Sequence, residues 1–464
     1  MSHTRWFFPI TRTAAILFAL AMFANNLSAA GWKEKVLYSF QGGTDGQLPV
    51  GSIVFDSAGN LYGATTQGGA TNCSPLADCG TVFQLTPPAK TGDPWTETVL
   101  YIFKGAEYKD GDEPAGGLVI DSQGNLYGTT AYGGTGNCVL LGVKGGCGTV
   151  YELSPPSEKG GAWTEKILYS FPTAKQGYVP RGDLVFDSAG KLYGATMFGG
   201  GKGTTCNPYY QYCGAIFELS PPKTKDGEWA EKVLHRFAGG SDGAEPNGGL
   251  VLDGAGVVYG TTYFGGKETG DCNGGVGGTG CGTVFSLTPP IKTGGQWTES
   301  ILHRFQGNQD ADNPAAGVIF DHHGNLFGTT FFGPQNGFGT VFEVAKPAGK
   351  SHSWKETLLY RFTDGNDGGY PAAALSFDAS GSLFGTASGG DNGGTVFRLK
   401  PPQREGGNWS LASLHNFAGI PDGIAPAAVV VFDETGNLYS TTPKGGTGTG
   451  CGFADCGAVF ELSP

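Results

Sequence analysis

The sequence is poor in charge and has no long apolar run beyond its first thirty residues. Asp, Glu, Lys and Arg make up only 15% of its 464 residues, and acidic residues outnumber basic ones by 41 to 29. The net charge of −12 repels phosphate backbones, so we expect no nucleic-acid partner. The C-terminus ends in FELSP without a second apolar segment, so we expect no membrane span and no C-terminal anchor.

Sequence motifs of catalysis are also absent. There is no Gly-x-Ser-x-Gly, no His-Glu-x-x-His and no phosphate-binding Gly loop before a helix. His235, His303 and His415 occupy positions where other repeats have Tyr, and we interpret them as packing variants. His322 and His323 lie in a turn, and neither group has the spacing of metal ligands. We therefore predict no catalytic residue, no cofactor and no metal site.

The first thirty residues have the three parts of a secretory signal peptide. Arg5 and Arg12 supply the positive start, Ala14–Ala24 the apolar part, and Ser28–Ala30 a small-residue cleavage site. The alternative is a membrane anchor, but eleven apolar residues are too few to span a bilayer. We predict cleavage near Ala30 and export of residues 31–464 to the periplasm, the cell surface or the medium.

Glycine is abundant and a long repeat fills the exported part of the chain. The 83 Gly residues lack a Gly-X-Y period, which excludes collagen and favours a fold with many tight turns. The segments 116–130 (GGLVIDSQGNLYGTT), 147–156 (CGTVYELSPP) and 163–171 (WTEKILYSF) recur in edited form. Their alternating β-branched and aromatic residues predict four strands in each of seven repeats.

Seven repeats of four strands are typical of a closed β-propeller. The repeats begin at intervals of 55 to 68 residues, marked by Trp32, Trp95, Trp163, Trp229, Trp297, Trp354 and Trp409. We predict an all-β fold, a seven-bladed β-propeller of four-stranded antiparallel blades, forming one domain over residues 31–464. The N-terminal strand 32–40 is expected to complete the last blade beside 457–462. An open solenoid is the alternative, but the polar capping repeats of such arrays are missing.

Within a blade, the strand of the GLVFD type should be innermost, since the residues before it are Gly or Ala and fit a crowded axis. Each of these strands ends in an Asp. Because Asp accepts backbone N–H groups in tight turns, we interpret all seven as turn residues, against a catalytic or Ca²⁺-binding alternative. They are Asp56, Asp121, Asp187, Asp253, Asp321, Asp378 and Asp433.

The ten cysteines fall into five close pairs. Each pair lies in the loop between the second and third strands of one repeat, and repeats five and six have none. The pairs are Cys73/Cys79, Cys138/Cys147, Cys206/Cys213, Cys272/Cys281 and Cys451/Cys456. In an exported protein this pattern predicts five disulfides. Zinc is the rival interpretation, but each loop offers two thiols where structural zinc needs four ligands.

The repeat resembles that of a known family. The string G-L-V-x-D-x-x-G-N-L-Y-G-T-T followed by G-T-V-F-E-L is similar to that of the bacterial GloVer (Gloeo_Verruco) tandem-repeat exported proteins. The resemblance extends from Trp32 to Pro464. It implies an exported propeller, often with a C-terminal surface anchor in other members. It implies no particular activity, and no functional residues follow from it.

Two charged residues break the symmetry of the repeat. Arg181 and Asp183 stand at the start of the third inner strand, where other repeats have mainly small or neutral residues. Both could point into the central channel and bind a ligand. The alternative, which we favour at this stage, is a salt bridge within the blade.

Aromatic residues also vary between repeats. After the Gly-Thr-Thr motif, or Gly-Ala-Thr in the third repeat, repeats two to five carry Tyr132, Phe198, Tyr263-Phe264 and Phe331-Phe332, and the third repeat adds Tyr209, Tyr210 and Tyr212. As ligand-binding candidates we take Tyr132, Phe198, Tyr209, Tyr210, Phe264 and Phe332 with Arg181 and Asp183. Aromatic planes beside Asn, Asp and Gly loops suit sugars or peptides, although packing between blades is the alternative.

We therefore expect a monomeric, exported, non-catalytic propeller that binds a polysaccharide or a partner protein on the face bearing the Cys loops. An extracellular lyase or hydrolase acting at the channel mouth is the main alternative, and a purely structural envelope component is another.

Overall fold

The computed structural model describes most of residues 31–464. The described residues are 31–69, 79–90, 92–140, 143–201, 213–224, 227–266, 272, 280–292, 294–308, 310–335, 337–349, 353–390, 393–404, 406–451 and 456–464. The regular structure of these residues consists almost wholly of short β-strands.

The strands follow one another in the order that the repeat predicts. They are β1 (Lys33–Ser39), β2 (Gln47–Phe55), β3 (Leu61–Gln67), β4 (Thr81–Thr86), β5 (Thr96–Ile102), β6 (Gly111–Pro114), β7 (Val119–Ile120), β8 (Leu126–Gly133), β9 (Val139–Leu140), β10 (Val143–Lys144), β11 (Thr149–Ser154), β12 (Thr164–Ser170), β13 (Tyr178–Phe186), β14 (Leu192–Phe198), β15 (Ala215–Ser220), β16 (Ala230–Arg236), β17 (Val251–Leu252), β18 (Val258–Thr262), β19 (Thr283–Thr288), β20 (Thr298–Arg304), β21 (Ile319–Phe320), β22 (Leu326–Thr330), β23 (Thr340–Ala345), β24 (Lys355–Arg361), β25 (Ser376–Phe377), β26 (Leu383–Ala387), β27 (Thr395–Lys400), β28 (Ser410–Asn416), β29 (Val431–Phe432), β30 (Leu438–Thr442) and β31 (Ala458–Ser463). Three one-turn 3-10 helices, Gly43–Asp45, Ala106–Tyr108 and Gly240–Asp242, precede inner strands.

Antiparallel pairing groups these strands into seven larger sheets, which we number as blades, and a separate two-stranded sheet of β9 and β10. Blade 1 has the order β2-β3-β4-β5, and blade 2 joins β6 and β7 to β8, β11 and β12. Blades 3, 4, 5 and 6 comprise β13–β16, β17–β20, β21–β24 and β25–β28. Because strand direction alternates, the loop between the second and third strands and the segment leading to the next blade emerge on one side. We call that side the loop face.

Blade 7 joins the two ends of the chain. Its order is β29-β30-β31-β1, and β1 pairs with β31 from Lys33 opposite Ser463 to Ser39 opposite Ala458. The Phe40 N–H continues this pairing with a 3.0 Å hydrogen bond to the Gly457 carbonyl. The seven-bladed propeller and its closure by the N-terminal strand are therefore confirmed.

Aromatic rings pack across every boundary between blades, which we call a seam. A ring just after each outer strand meets a ring on the third strand of the next blade edge to face, with centroids 5.0 to 5.2 Å apart. This geometry suits the quadrupoles of two aromatic rings and buries large apolar surfaces. The pairs are Phe40–Phe83, Phe103–Tyr151, Phe171–Phe217, Phe237–Phe285, Phe305–Phe342, Phe362–Phe397 and Phe417–Phe460.

A second seam contact involves a residue that precedes a proline at the start of each inner strand. These residues have φ between 54° and 58°, a left-handed conformation that is uncommon outside Gly. Each donates its N–H to a carbonyl of the preceding blade, at 2.6 to 3.2 Å. The donors are Leu48, Glu113, Val179, Glu245, Asn313, Tyr370 and Ala425, and the acceptors are Cys456, Cys79, Cys147, Cys213, Cys281, Phe338 and Gly393. Five acceptors are therefore cysteines of the loop face.

The inner strands meet closely around the axis. A Cβ at Gly51 would lie 2.1 Å from the Gly117 nitrogen, and one at Gly116 would lie 2.3 Å from the Gly182 oxygen. Such distances leave no space for a side chain, which explains the small residues expected there.

The Asp that ends each inner strand organises the following turn. Asp56 Oδ1, for example, accepts the N–H groups of Ala58 and Asn60 at 2.9 Å. The other six Asp residues repeat this pattern. The turn interpretation is confirmed.

Candidate functional site

Disulfides hold the loops of the loop face. The bonds Cys138–Cys147, Cys272–Cys281 and Cys451–Cys456 are present, closing separations of 9, 9 and 5 residues. Cys79 and Cys213 are also disulfide-bonded. Their predicted partners, Cys73 and Cys206, lie outside the described residues.

The inner strands enclose a central channel with a cavity of about 340 Å³. Most of its lining is Gly, Ala and Val, and among the lining residues the charged side chains are Arg181 and Asp183. Arg181 and Asp183 therefore both line the central channel, as the sequence analysis considered.

The Asp183 carboxylate joins three blades. It accepts a hydrogen bond from the Ser52 hydroxyl of blade 1 and another, at 2.6 Å, from the Gly117 N–H of blade 2. The prediction of a salt bridge between Asp183 and Arg181 is therefore wrong. Because the inner strands converge on the axis, Asp183 reaches one polar group in the adjacent blade 2 and one in blade 1 on its far side.

Arg181 is exposed in the channel wall. Burial raises the pKa of Glu113, and the positive charge of Arg181 opposes part of that rise. Arg181 therefore acts electrostatically on blade 2 while its guanidinium stays open to the channel.

The predicted aromatic residues have different surroundings. Phe198 and Phe264 are each only 6% exposed and belong to hydrophobic clusters between blades, whereas Tyr132 and Phe332 are partly exposed. Tyr209, Tyr210 and Tyr212 lie outside the described residues.

Phe332 belongs to a group of four partly exposed rings at the seam between blades 5 and 6. Tyr370 stands at the centre, with centroid distances of 5.1 Å to Phe331, 6.0 Å to Phe332 and 5.6 Å to Phe338. Phe331 and Phe332 follow β22 on the loop face, and Tyr370 is the residue before the proline that opens the inner strand of blade 6. Sequence reasoning missed Tyr370 and Phe338 as site residues, because nothing in the repeat relates them to Phe332.

A carboxylate borders this group. A Cβ at Gly389 would lie 2.5 Å from Tyr370 Cδ2 and 2.8 Å from Asp364 Oδ1, so the ring and the carboxylate oxygen approach the same small space. Asp364 Oδ1 is buried without a hydrogen-bond partner. We call Phe331, Phe332, Phe338, Tyr370 and Asp364 the blade 5–6 aromatic site. Its rings can stack on apolar faces of a ligand, and its carboxylate can accept a hydrogen bond.

These features define a disulfide-stapled, seven-bladed β-propeller. The chain belongs to the Gloeobacter/Verrucomicrobia repeat family, whose model matches residues 22–141 and 269–464, and the resemblance noted in the sequence is thereby confirmed. Residues 142–268, outside the matched ranges, include blade 3 with Arg181 and Asp183.

Solved structures with a similar fold are distant. A protein of unknown function from Dyadobacter fermentans has 15% identity, with 83% of this chain and 98% of that chain covered and a TM-score of 0.42. A variant of AofleA from Arthrobotrys oligospora with three arginines replaced by alanine has 11% identity, 84% and 92% coverage and a TM-score of 0.41. At these scores neither carries an argument about function.

No curated protein matches the chain. Across the described part of the chain, no helix has both the length and the apolar character needed to cross a bilayer.

Proposed function

We propose that this protein is an exported, non-catalytic binding module that holds a polysaccharide on its loop face. The observation that carries the proposal is the cluster of partly exposed rings Phe331, Phe332, Phe338 and Tyr370. Sugars have apolar C–H faces that stack on aromatic planes, and their hydroxyls donate hydrogen bonds to carboxylates such as Asp364.

The scaffold supports tight binding because it is rigid before the ligand arrives. Tyr370 is fixed by a 2.6 Å hydrogen bond from its N–H to the Phe338 carbonyl, and Phe331 donates its N–H to Asn313 at 2.9 Å. A site whose backbone is already ordered loses less conformational entropy on binding. Export agrees with the disulfides, which persist in oxidising compartments. The signal peptide over residues 1–30 remains a prediction.

Binding without turnover agrees with the state of the channel carboxylate. A general acid or base needs a carboxyl free to exchange protons with its substrate. Asp183 instead uses its two oxygens to hold Ser52 and Gly117. We therefore assign Asp183 to holding the blades together and Arg181 to a secondary contact with an anionic sugar chain.

The test measures retention of the purified protein on a panel of neutral and acidic polysaccharides. Phe332→Ala and Tyr370→Asn are expected to weaken binding by about tenfold or more, near 1.4 kcal/mol. Asn is chosen at position 370 because it tolerates positive φ. Tyr108→Ala is the matched control, since that ring is 69% exposed in the loop between blades 1 and 2.

Retention of full binding by Phe332→Ala and Tyr370→Asn would contradict the site. Failure to bind any polysaccharide, with capture of a protein ligand instead, would contradict the ligand class. Release of reducing or unsaturated sugar ends that stops in Asp183→Asn would contradict the non-catalytic assignment.

A further inference from the structure

Each seam carries a polar cluster at the perimeter of the propeller. In six seams it contains a Tyr or His near the end of an outer strand and an acceptor in the following loop, and in most seams a Glu on the next outer strand takes part. At the seam between blades 2 and 3, Tyr169 donates to Glu231 of the next outer strand. Between blades 7 and 1, Tyr38 donates its hydroxyl to Asp45 Oδ1 at 2.7 Å. Burial raises the pKa of Glu97 to about 8, and the charge of Asp45 adds to the rise. The cluster therefore connects two blades through their outermost strands.

Three seams have His in place of Tyr, and there the ligand atoms of a His, an Asp and a Glu lie within 4.8 Å of one another. The sequence interpretation of these histidines as packing variants used spacing along the chain, which cannot detect a Glu supplied by the next blade. The three sets are His235–Asp242–Glu299, His303–Asp310–Glu356 and His415–Asp422–Glu34.

The seam between blades 3 and 4 differs from the other two. His303 and His415 place Nε2 in hydrogen bonds with their Asp at 2.9 and 3.1 Å. His235 Nε2 lies 3.2 Å from Asp242 Oδ1 and 3.8 Å from Glu299 Oε1. Of the three Nε2 atoms, that of His235 is buried without a partner of hydrogen-bond geometry, whereas Glu299 Oε1 lacks such a partner in common with Glu356 Oε1 and Glu34 Oε1 of the other two seams. At this seam a His nitrogen and a Glu oxygen from different blades thus face each other without a hydrogen bond.

We propose that His235, Asp242 and Glu299 form a binding site for a zinc-type divalent cation that bridges blades 3 and 4. A tetrahedral zinc ion with bonds of about 2.0–2.1 Å separates its ligand atoms by about 3.3 Å, and the distances observed here lie on either side of that value. The three side chains are 16% to 23% exposed, so an ion can enter and water can occupy the fourth position.

The donor set also selects among metals. An imidazole nitrogen with two carboxylates suits zinc, whereas calcium and magnesium prefer oxygen ligands and a higher coordination number. Arg304 reduces the negative charge near Glu299, but its Nε donates to the Ser241 carbonyl at 3.2 Å and so points partly away from the cluster. The two carboxylates still exceed this single positive charge.

The experiment titrates tag-free, EDTA-treated protein with zinc by calorimetry and measures the melting temperature in parallel. We expect one tight site, a melting temperature raised by about 3 °C when zinc is a hundredfold above its Kd, and no such effect from calcium or magnesium. All proteins in this experiment carry serine in place of the exposed pair His322 and His323, because adjacent imidazoles bind zinc unspecifically. We call the protein with only these two changes the parent.

His235→Tyr is the decisive variant, since it rebuilds the arrangement that Tyr38 and Asp45 form in the same propeller and should fold. It is expected to abolish the tight binding event and the thermal shift. His303→Tyr is the matched control and should leave that event unchanged. Absence of zinc binding in the parent, survival of tight binding in His235→Tyr, or equal loss in His303→Tyr would overturn the proposal.

Discussion

Blades 4 and 5 place the same aromatic position in different environments. Phe264 follows Gly-Thr-Thr in blade 4, where the loop contains the Cys272–Cys281 disulfide, and it is only 6% exposed. Phe332 follows Gly-Thr-Thr in blade 5, whose loop has no cysteine, and it is partly exposed beside Tyr370. The repeat supplies an aromatic residue in both blades, and the surroundings of the loop decide whether it packs or faces solvent.

The seam contacts show the same contrast. Val179 donates its N–H to Cys147, a disulfide residue, whereas Tyr370 donates to Phe338, which is itself part of the blade 5–6 aromatic site. In five seams this hydrogen bond therefore lies next to a disulfide, and at the seam between blades 5 and 6 it joins two residues of the proposed binding site. This division of roles leads to four predictions.

The largest effect is expected from truncating the buried ring. Phe264→Ala should lower the free energy of unfolding by about 3–5 kcal/mol, because it removes a packed side chain and leaves a cavity. Phe332→Ala should lower it by less than half as much, since part of that ring already contacts water. Denaturant unfolding with matched m-values measures both. Equal losses in the two variants would remove the contrast between blades 4 and 5.

A pH effect is expected at the start of the inner strand of blade 2. Asp112 is 1% exposed, and burial together with the nearby charges of Glu113 and Asp110 raises its pKa to about 7. The folded state therefore holds this proton more tightly than the unfolded state. Stability from this group is greatest below pH 4, falls as pH rises towards 7, and is constant above that.

Asp112→Asn removes the ionisable group. The change that it causes in the free energy of unfolding, measured against wild type, should be more favourable at pH 8 than at pH 4 by about 2–4 kcal/mol. Blade 1 has the uncharged Gln47 at the corresponding position. Gln47→Ala is therefore the control and should give the same difference at both pH values. Unfolding measured at pH 4 and pH 8 decides. A pH-independent effect of Asp112→Asn would show that the buried carboxyl does not titrate in this range.

Removing one staple should have a smaller and local effect. The double variant Cys138→Ser with Cys147→Ser should lose about 2–3 kcal/mol of stability, from the entropy of the closed loop in the unfolded chain. Hydrogen exchange at the Val179 amide should become faster, while the Tyr370 amide should exchange at its wild-type rate. Faster exchange at both amides would mean that the seams are not independent.

The smallest effect is expected at the edge of the aromatic site. Asp364→Asn should weaken polysaccharide binding by about 1 kcal/mol, because an amide oxygen accepts a weaker hydrogen bond than a carboxylate. Its stability should change little, since Asn tolerates the φ of 61° at this position. The affinity of Asp364→Asn is measured together with that of Phe332→Ala, which gives the loss expected from removing a ring. Unchanged affinity would restrict the site to its rings.

Much of the fold could be predicted because its signals are local. The Asp turns, the Gly residues of the inner strands and the closely spaced cysteines act within a few residues of each other, and the repeat multiplies each signal. The candidate site could be predicted only in part. Phe332 could be found because the residue at its position varies between repeats. Tyr370 and Asp364 belong to the next blade and the loop leading to it, so sequence spacing could not connect them to Phe332.

Arg181 and Asp183 illustrate the same limit. Two opposite charges two positions apart on a strand favour a mutual salt bridge when only the strand is considered. In the propeller, Ser52 and Gly117 lie 131 and 66 residues away along the chain and still reach Asp183, because the inner strands of blades 1, 2 and 3 converge closely on the axis.

The sequence by itself determined the number of blades and the order of their strands, because each blade is specified by contacts within its own repeat. It also determined the closure by the N-terminal strand, because the chain begins with the type of outer strand that the last repeat lacks. Only the tertiary structure decided which aromatic rings are buried, which carboxylates form hydrogen bonds to other blades and which histidines lie beside a Glu of the next blade. Those properties depend on the seams, where side chains from separate repeats share one environment, and no single repeat contains that information.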